Sequence, residues 1–146
     1  MNLYRKIDEW LKNYEPLNNW IYFNATPDIV GTVALNSIPG DGVVARFIDG
    51  SKKCEILFAI DMIREYDSMG TSEVNMEALD EVNNFIEWLD SQRQDENFPD
   101  FGTTNTVRNI QVLTNVPTVL VNTQDMLSKF QIQVKVTYID NKEVEF

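Results

Sequence analysis

Residues 131–138 alternate without a break: Ile132, Val134, Val136 and Tyr138 hold one parity, Gln131, Gln133, Lys135 and Thr137 the other. A period of two puts these sets on opposite faces of a β-strand, one for a core and one for water. Half-burial of this kind belongs to antiparallel sheets, because parallel strands are covered on both faces and read as continuous apolar runs. The rest of the chain must therefore supply strands to pair with this one, and apolar side chains to cover its Ile/Val face.

The best partners are Val43–Ile48 and Lys53–Ile63, separated by Asp49-Gly50-Ser51. Asp-Gly between apolar runs predicts a hairpin with a type I′ turn. In the second run Cys54, Ile56, Phe58 and Ile60 share one face while Leu57 and Ala59 lie on the other. Cover on both faces suits a strand at the centre of a sheet. Trp20–Ala25, Ile29–Ile38 (with Gly31 at a kink or bulge), Val107–Leu113 and Thr118–Val121 read as further strands. Pro39-Gly40-Asp41-Gly42, Asn115-Val116-Pro117 and Thr123-Gln124-Asp125 read as the loops between them.

Two segments carry helical spacing instead. Leu3, Ile7, Trp10, Leu11 and Tyr14 form one face of a short helix with Asn2 as its cap, and Pro16 should end it near Tyr14. Ala78, Leu79, Val82, Phe85, Ile86 and Leu89 form the stripe of a second helix from an Asn75 cap to about Gln92. Strands clustered in runs rather than alternating with helices predict an α+β fold. The length of 146 residues predicts a single domain, residues 1–146. The expected architecture is a mainly antiparallel sheet flanked by an N-terminal helix and a mid-chain helix.

Composition narrows the chemistry. There is no histidine and one cysteine, Cys54. Triads, Cys-His dyads, His-containing metal sites, internal disulfides and CxxC pairs are excluded. No glycine spacing matches a phosphate cradle, and no DxDxDG run suggests calcium, so no cofactor and no metal are expected. Cys54 alternates onto the inward face of its strand and reads as a buried structural thiol. Carboxylate catalysis would need two acids facing across a cleft. Glu77 and Glu81 share a helix face, but that face turns from the apolar stripe and reads as solvated acid. No catalytic residue is expected, and the chain reads as no enzyme.

The formal charge is −11, from 23 acidic and 12 basic residues. Residues 71–102 hold nine acidic and one basic side chain, a balance of −8. Glu73, Glu77, Asp80, Glu81, Glu87, Asp95 and Glu96 thus form a candidate acidic surface on and after the second helix. Such charge disfavours wrapping nucleic acid and binding anionic membranes. The N-terminus lacks an apolar h-region and no run reaches the length of a membrane span, so an intracellular, reducing compartment is expected. Phe98 and Phe101, around Pro99, fit either the chain's own core or a neighbour's groove.

The layout resembles the small phage tail-terminator proteins, also called minor capsid or head–tail joining proteins, of tailed phages, prophages and phage-tail-like bacteriocins of Gram-positive bacteria. The resemblance rests on the order of an N-terminal amphipathic helix (LYRKIDEWL), a hairpin carrying Asp-Gly (VVARFIDGSKKCEILFAI), a mid-chain helix (ALDEVNNFIEWL), a Phe-Pro segment (FPDF) and a final strand (KFQIQVKVTYI). It implies a structural virion protein that forms a ring, usually a hexamer, on the head-proximal end of the tail tube. That ring ends tube polymerisation and joins the tail to the head connector. The implied partners are further copies of the chain, the tube protein and the connector protein, and the implied location is the virion tail. DNA would pass through without specific binding, and an acidic lumen would repel it. The loops around Gly42 and Phe98, with Phe101, and the polar strand face (Gln131, Gln133, Lys135) are the candidate subunit or partner contacts.

The alternative is an acidic immunity or inhibitor protein that plugs a basic toxin or nuclease surface with the same helix. A carboxylate-only hydrolase is a third reading.

Overall fold

The computed structural model describes residues 2–17, 21–39, 42–68, 73–113 and 118–141. The expected positions Trp20, Gly40, Asp41 and Asn115-Val116-Pro117 lie outside them. In chain order the elements are α1 (Leu3–Leu11), a 3₁₀ turn (Glu15–Leu17), β1 (Tyr22–Phe23), β2 (Val33–Ser37), β3 (Gly42–Arg46), β4 (Lys52–Glu65), α2 (Glu73–Gln94), β5 (Asn105–Val112), β6 (Thr118–Asn122) and β7 (Leu127–Asp140). Among the described residues this is an α+β fold with one mixed sheet of seven strands and two helices, one near the N-terminus and one mid-chain.

β7 contains the alternating segment and pairs with β4 antiparallel from Lys52↔Asp140 to Glu65↔Leu127. Each strand is 14 residues long, about two and a half times the usual length. Shorter strands flank this ribbon in pairs. β3 and β2 lie successively along the outer side of β4, against residues 52–55 and 58–62. β5 and β6 do the same along β7, against residues 134–140 and 127–131. β1 extends the sheet beyond β2, the one parallel pair among the described residues.

Alternation then sorts the side chains. Ile56, Phe58, Ile60 and Met62 of β4 join Phe130, Ile132, Val134 and Val136 of β7 on one face. Ile7, Trp10 and Leu11 of α1, and Ala78, Val82, Phe85 and Leu89 of α2, cover it. Aromatic rings tie the helices together: Trp10 and Tyr14 both pack on Trp88, at 5.0 and 5.3 Å between centroids. Full burial of each such side chain is worth roughly 1.5–3 kcal/mol, so this layer supplies most of the driving force for the fold.

Local signals differ from expectation at three points. α1 ends at Leu11 rather than near Tyr14, and Pro16 sits in the 3₁₀ turn, where its fixed φ is tolerated. Asn2 caps α1, accepting from the Tyr4 amide at 3.0 Å. The hairpin loop is three residues, Ile48–Gly50, closed by Phe47 N–H to Ser51 O at 2.9 Å. Gly50 alone carries a left-handed φ, +96°, in place of the two that type I′ requires. α2 begins at Glu73, so Asn75 is not its cap. Its side chain instead clamps the incoming loop, accepting from Asp67 N (2.9 Å) and donating to Asp67 O (2.8 Å).

α2 ends in a Schellman motif: Asn97 N–H reaches Gln92 O (2.9 Å) and Glu96 N–H reaches Arg93 O (3.2 Å). Glu96 holds the left-handed position at φ +53°, where glycine is the usual residue. A side chain there costs about 1–2 kcal/mol, against roughly 0.5–1 kcal/mol for glycine's extra chain entropy. Glu96→Gly should therefore raise stability by about 0.5–1 kcal/mol, read as a higher urea midpoint at unchanged m-value. A lower midpoint would contradict this account of the helix end.

Candidate functional site

Phe101 is fully buried and meets Tyr138 edge-on at 5.3 Å. Phe98 packs half-buried against the same core. The loop is pulled in by Trp10, whose Nε1 donates to Asn97 O at 2.8 Å. Both phenylalanines thus serve the chain's own core. Their loop position gave no periodicity to read, while Pro99 beside them was the available hint.

Cys54 is also buried. Burial pushes its thiol pKa up, the Asp140 charge adds to this, and a hydrogen bond with the Tyr138 side chain with the nearby Lys52 and Arg46 charges opposes it. A thiol in that setting is held protonated and makes a poor nucleophile.

The seven candidate acids are all exposed. Asp80 and Glu87, seven residues apart on α2, project away from the core with Glu73. Asp95 and Glu96 lie past the end of the helix. Glu77 and Glu81 also line a groove of about 510 Å³ between the first half of α2 and the end of β4. Arg64 stands in this groove and is ion-paired to Glu81. Its guanidinium also donates to the Ile63 carbonyl at 2.9 Å. Tyr14 lines the other wall, and burial first, then the Glu81 charge, raises its pKa, partly offset by Arg64. Glu81 keeps more than half its side-chain surface in water, so the pair contributes at most about 1 kcal/mol.

The polar face of β7 is divided. Gln133 is exposed and Lys135 pairs with Glu55 of β4 at 3.5 Å. Gln131 is drawn into a buried network. Asp61 of β4, only 4% exposed, accepts from Gln131 Nε2 at 3.1 Å on one oxygen and Asn36 Nδ2 at 2.7 Å on the other. Asn36 Oδ1 in turn accepts from Ala25 N–H at 2.9 Å. Sequence reading passed over Asp61, although an acid inside Ile56–Ile63 was its signal. The network locks three strands and the segment before β2, a structural role for a buried polar group whose partners are all supplied.

The largest features that sequence reading missed are apolar and exposed. At the β3–β4 hairpin, Val43, Val44 and Phe47 are about half exposed and Ile48 is fully exposed. Gly42 opens this strand, also exposed. On β6, Val119, Leu120 and Val121 are 44–65% exposed. Among the described residues no group of histidine, cysteine and carboxylate side chains is placed to hold a metal, and no helix is long and apolar enough to cross a membrane. No protein-family model and no curated protein matches the sequence.

Burial of Cys54 predicts its labelling behaviour. At pH 8 in native buffer a thiol reagent should modify it only at the rate of unfolding, and urea should speed the reaction in step with loss of circular dichroism. Fast labelling of the folded chain would contradict the placement of Cys54 in the core.

Proposed function

We propose that this chain is a structural, ring-forming virion subunit. It caps the head-proximal end of a phage tail tube, stops tube growth and joins the tail to the head connector. The observation that carries this reading is the pair of exposed apolar strands, β3 beside β4 and β6 beside β7, on opposite sides of one sheet. Contiguous exposed apolar surface on a folded chain marks a partner surface. Two such surfaces of different sequence, on different sides, suit head-to-tail contacts, which close into rings when the rotation allows. The order of sequence elements shared with tail terminators supports the same reading, with six copies as its expected number.

The acidic residues fit this role. Asp80 and Glu87 are exposed on α2. Acid facing a conduit keeps DNA phosphates from sticking to its wall. The chain then acts by shape and contact, with no chemical step and no cofactor.

The test is assembly. Purified protein mixed with its tail-tube protein should appear in negative-stain micrographs as rings of about six subunits, alone or at one end of each tube, and should shorten tubes as its concentration rises. Tubes of unchanged length with bare ends would overturn the proposal. Tight one-to-one binding of a basic toxin would then favour the inhibitor reading.

A further inference from the structure

The hairpin tip and the α2 groove lie at opposite ends of β4. Ile48 and Phe47 project beyond Lys52, where the strand begins, while the groove is built around Met62 and Arg64, where it finishes. A 14-residue strand at about 3.3–3.4 Å per residue separates them by roughly 43 Å, so the two cannot meet within one molecule.

Their chemistry is complementary. The tip carries fully exposed Ile48 and half-exposed Phe47, flanked by exposed Arg46 and Lys53. Its one acid, Asp49, is already occupied by the Ser51 hydroxyl and amide at 2.6 and 2.9 Å. Ser51's hydrogen bonds hold the Asp49 carboxyl below its ordinary pKa, so the loop keeps its shape through neutral pH. The groove offers exposed Val30 and Pro16 above buried Met62 and Ala78, rimmed by Glu65, Glu77 and Glu81. Arg64 neutralises one of those three acids, leaving the rim negative. A basic, apolar-tipped projection thus faces, across a distance only another molecule can span, an acid-rimmed apolar groove of the size that takes a few side chains.

We propose that the β3–β4 hairpin tip of one copy seats in the α2–β4 groove of the next. Ile48 and Phe47 fill the groove, while Arg46 and Lys53 meet Glu65 and Glu77. The proposal rests on the reading of the chain as a ring subunit and names the contact that would close the ring. Tip and groove are different patches, so the contact is heterologous, as a ring requires. A finger in a groove is smaller than the roughly 800 Å² per partner of a stable complex, so each contact is weak alone and gains from closure.

The test places a photo-crosslinking amino acid at position 48 of the full chain, whose full exposure there leaves the fold unaffected. Irradiation at up to about 1 mM protein, a concentration that captures contacts of only ~4 kcal/mol, is followed by mapping of the adducts. The expected adducts join position 48 to residues 14–16, 62–65 or 74–84 of a second copy. Arg46→Glu and Glu77→Lys should each weaken self-association by about tenfold in sedimentation velocity, with unchanged circular dichroism. Mixing these two variants should restore association, because every tip then has a groove of opposite charge available. Adducts to β6 or to a second tip would overturn this contact while leaving a ring in place. A wild-type chain that is monomeric at 1 mM and forms no rings on tubes would overturn both this contact and the ring reading.

Discussion

Fourteen consecutive residue pairs hold β4 against β7, and every other element takes its place from that register. The pairing is long-range, joining residues 52–65 to residues 127–140, so its two strands are brought together only when the chain between them has folded back. Its side-chain period of two makes the register strict. A slip of β7 by one residue would turn Ile132 and Val134 out to water and carry Gln131 into the apolar layer. The Asp61 network reinforces this from the other face, because its hydrogen bonds to Asn36 and Gln131 are available only in the observed pairing.

The helical layer leaves the hairpin tip and the outer strands β3 and β6 uncovered. α1 and α2 cover one face of the ribbon, with the first half of α2 reaching the end of β4, while the β3–β4 loop projects past the start of β4 and β6 lies along the first residues of β7. Apolar residues there are left in contact with water, an arrangement that a monomer ordinarily avoids. Both β3 and β5 carry a bulge, at Val44 and Arg108, which blunts edge-to-edge strand pairing. The protruding parts are thus suited to side-chain contact more than to sheet extension. In the proposed assembly role, this links fold to function: one spine positions two unlike surfaces at fixed separation.

The sheet was legible in the sequence because its signals are periodic. The alternation of residues 131–138 and the two-faced burial of residues 53–63 announce a half-buried strand beside a central one. The helix stripes were equally plain, with Ala78, Val82, Phe85 and Leu89 buried as spaced, although Leu79 is exposed. What was not legible depends on three-dimensional closure. Asn75 looks like a cap, yet its side chain serves the backbone of Asp67. Asp-Gly suggests a two-residue turn, yet the loop takes three residues with glycine in the left-handed position. Composition placed the acidic charge on α2, but only the packing of Arg64 against Glu81 divides it between a groove and an open face. The exposed Ile48 and Leu120 sit in runs whose pattern resembles that of buried strands, so exposure there could be found only from the fold.

The measurement that bears most directly on this account is native-state hydrogen exchange resolved by residue. If the β4–β7 ribbon is the spine, amides of residues 56–62 and 130–136 should exchange slowest and share one opening free energy, equal to that of global unfolding. Amides of the β3–β4 loop and β6 should open at far lower cost. Exchange in which α2 outlasts the ribbon, or in which the hairpin loop is protected as strongly as residues 56–62 in the isolated chain, would contradict it.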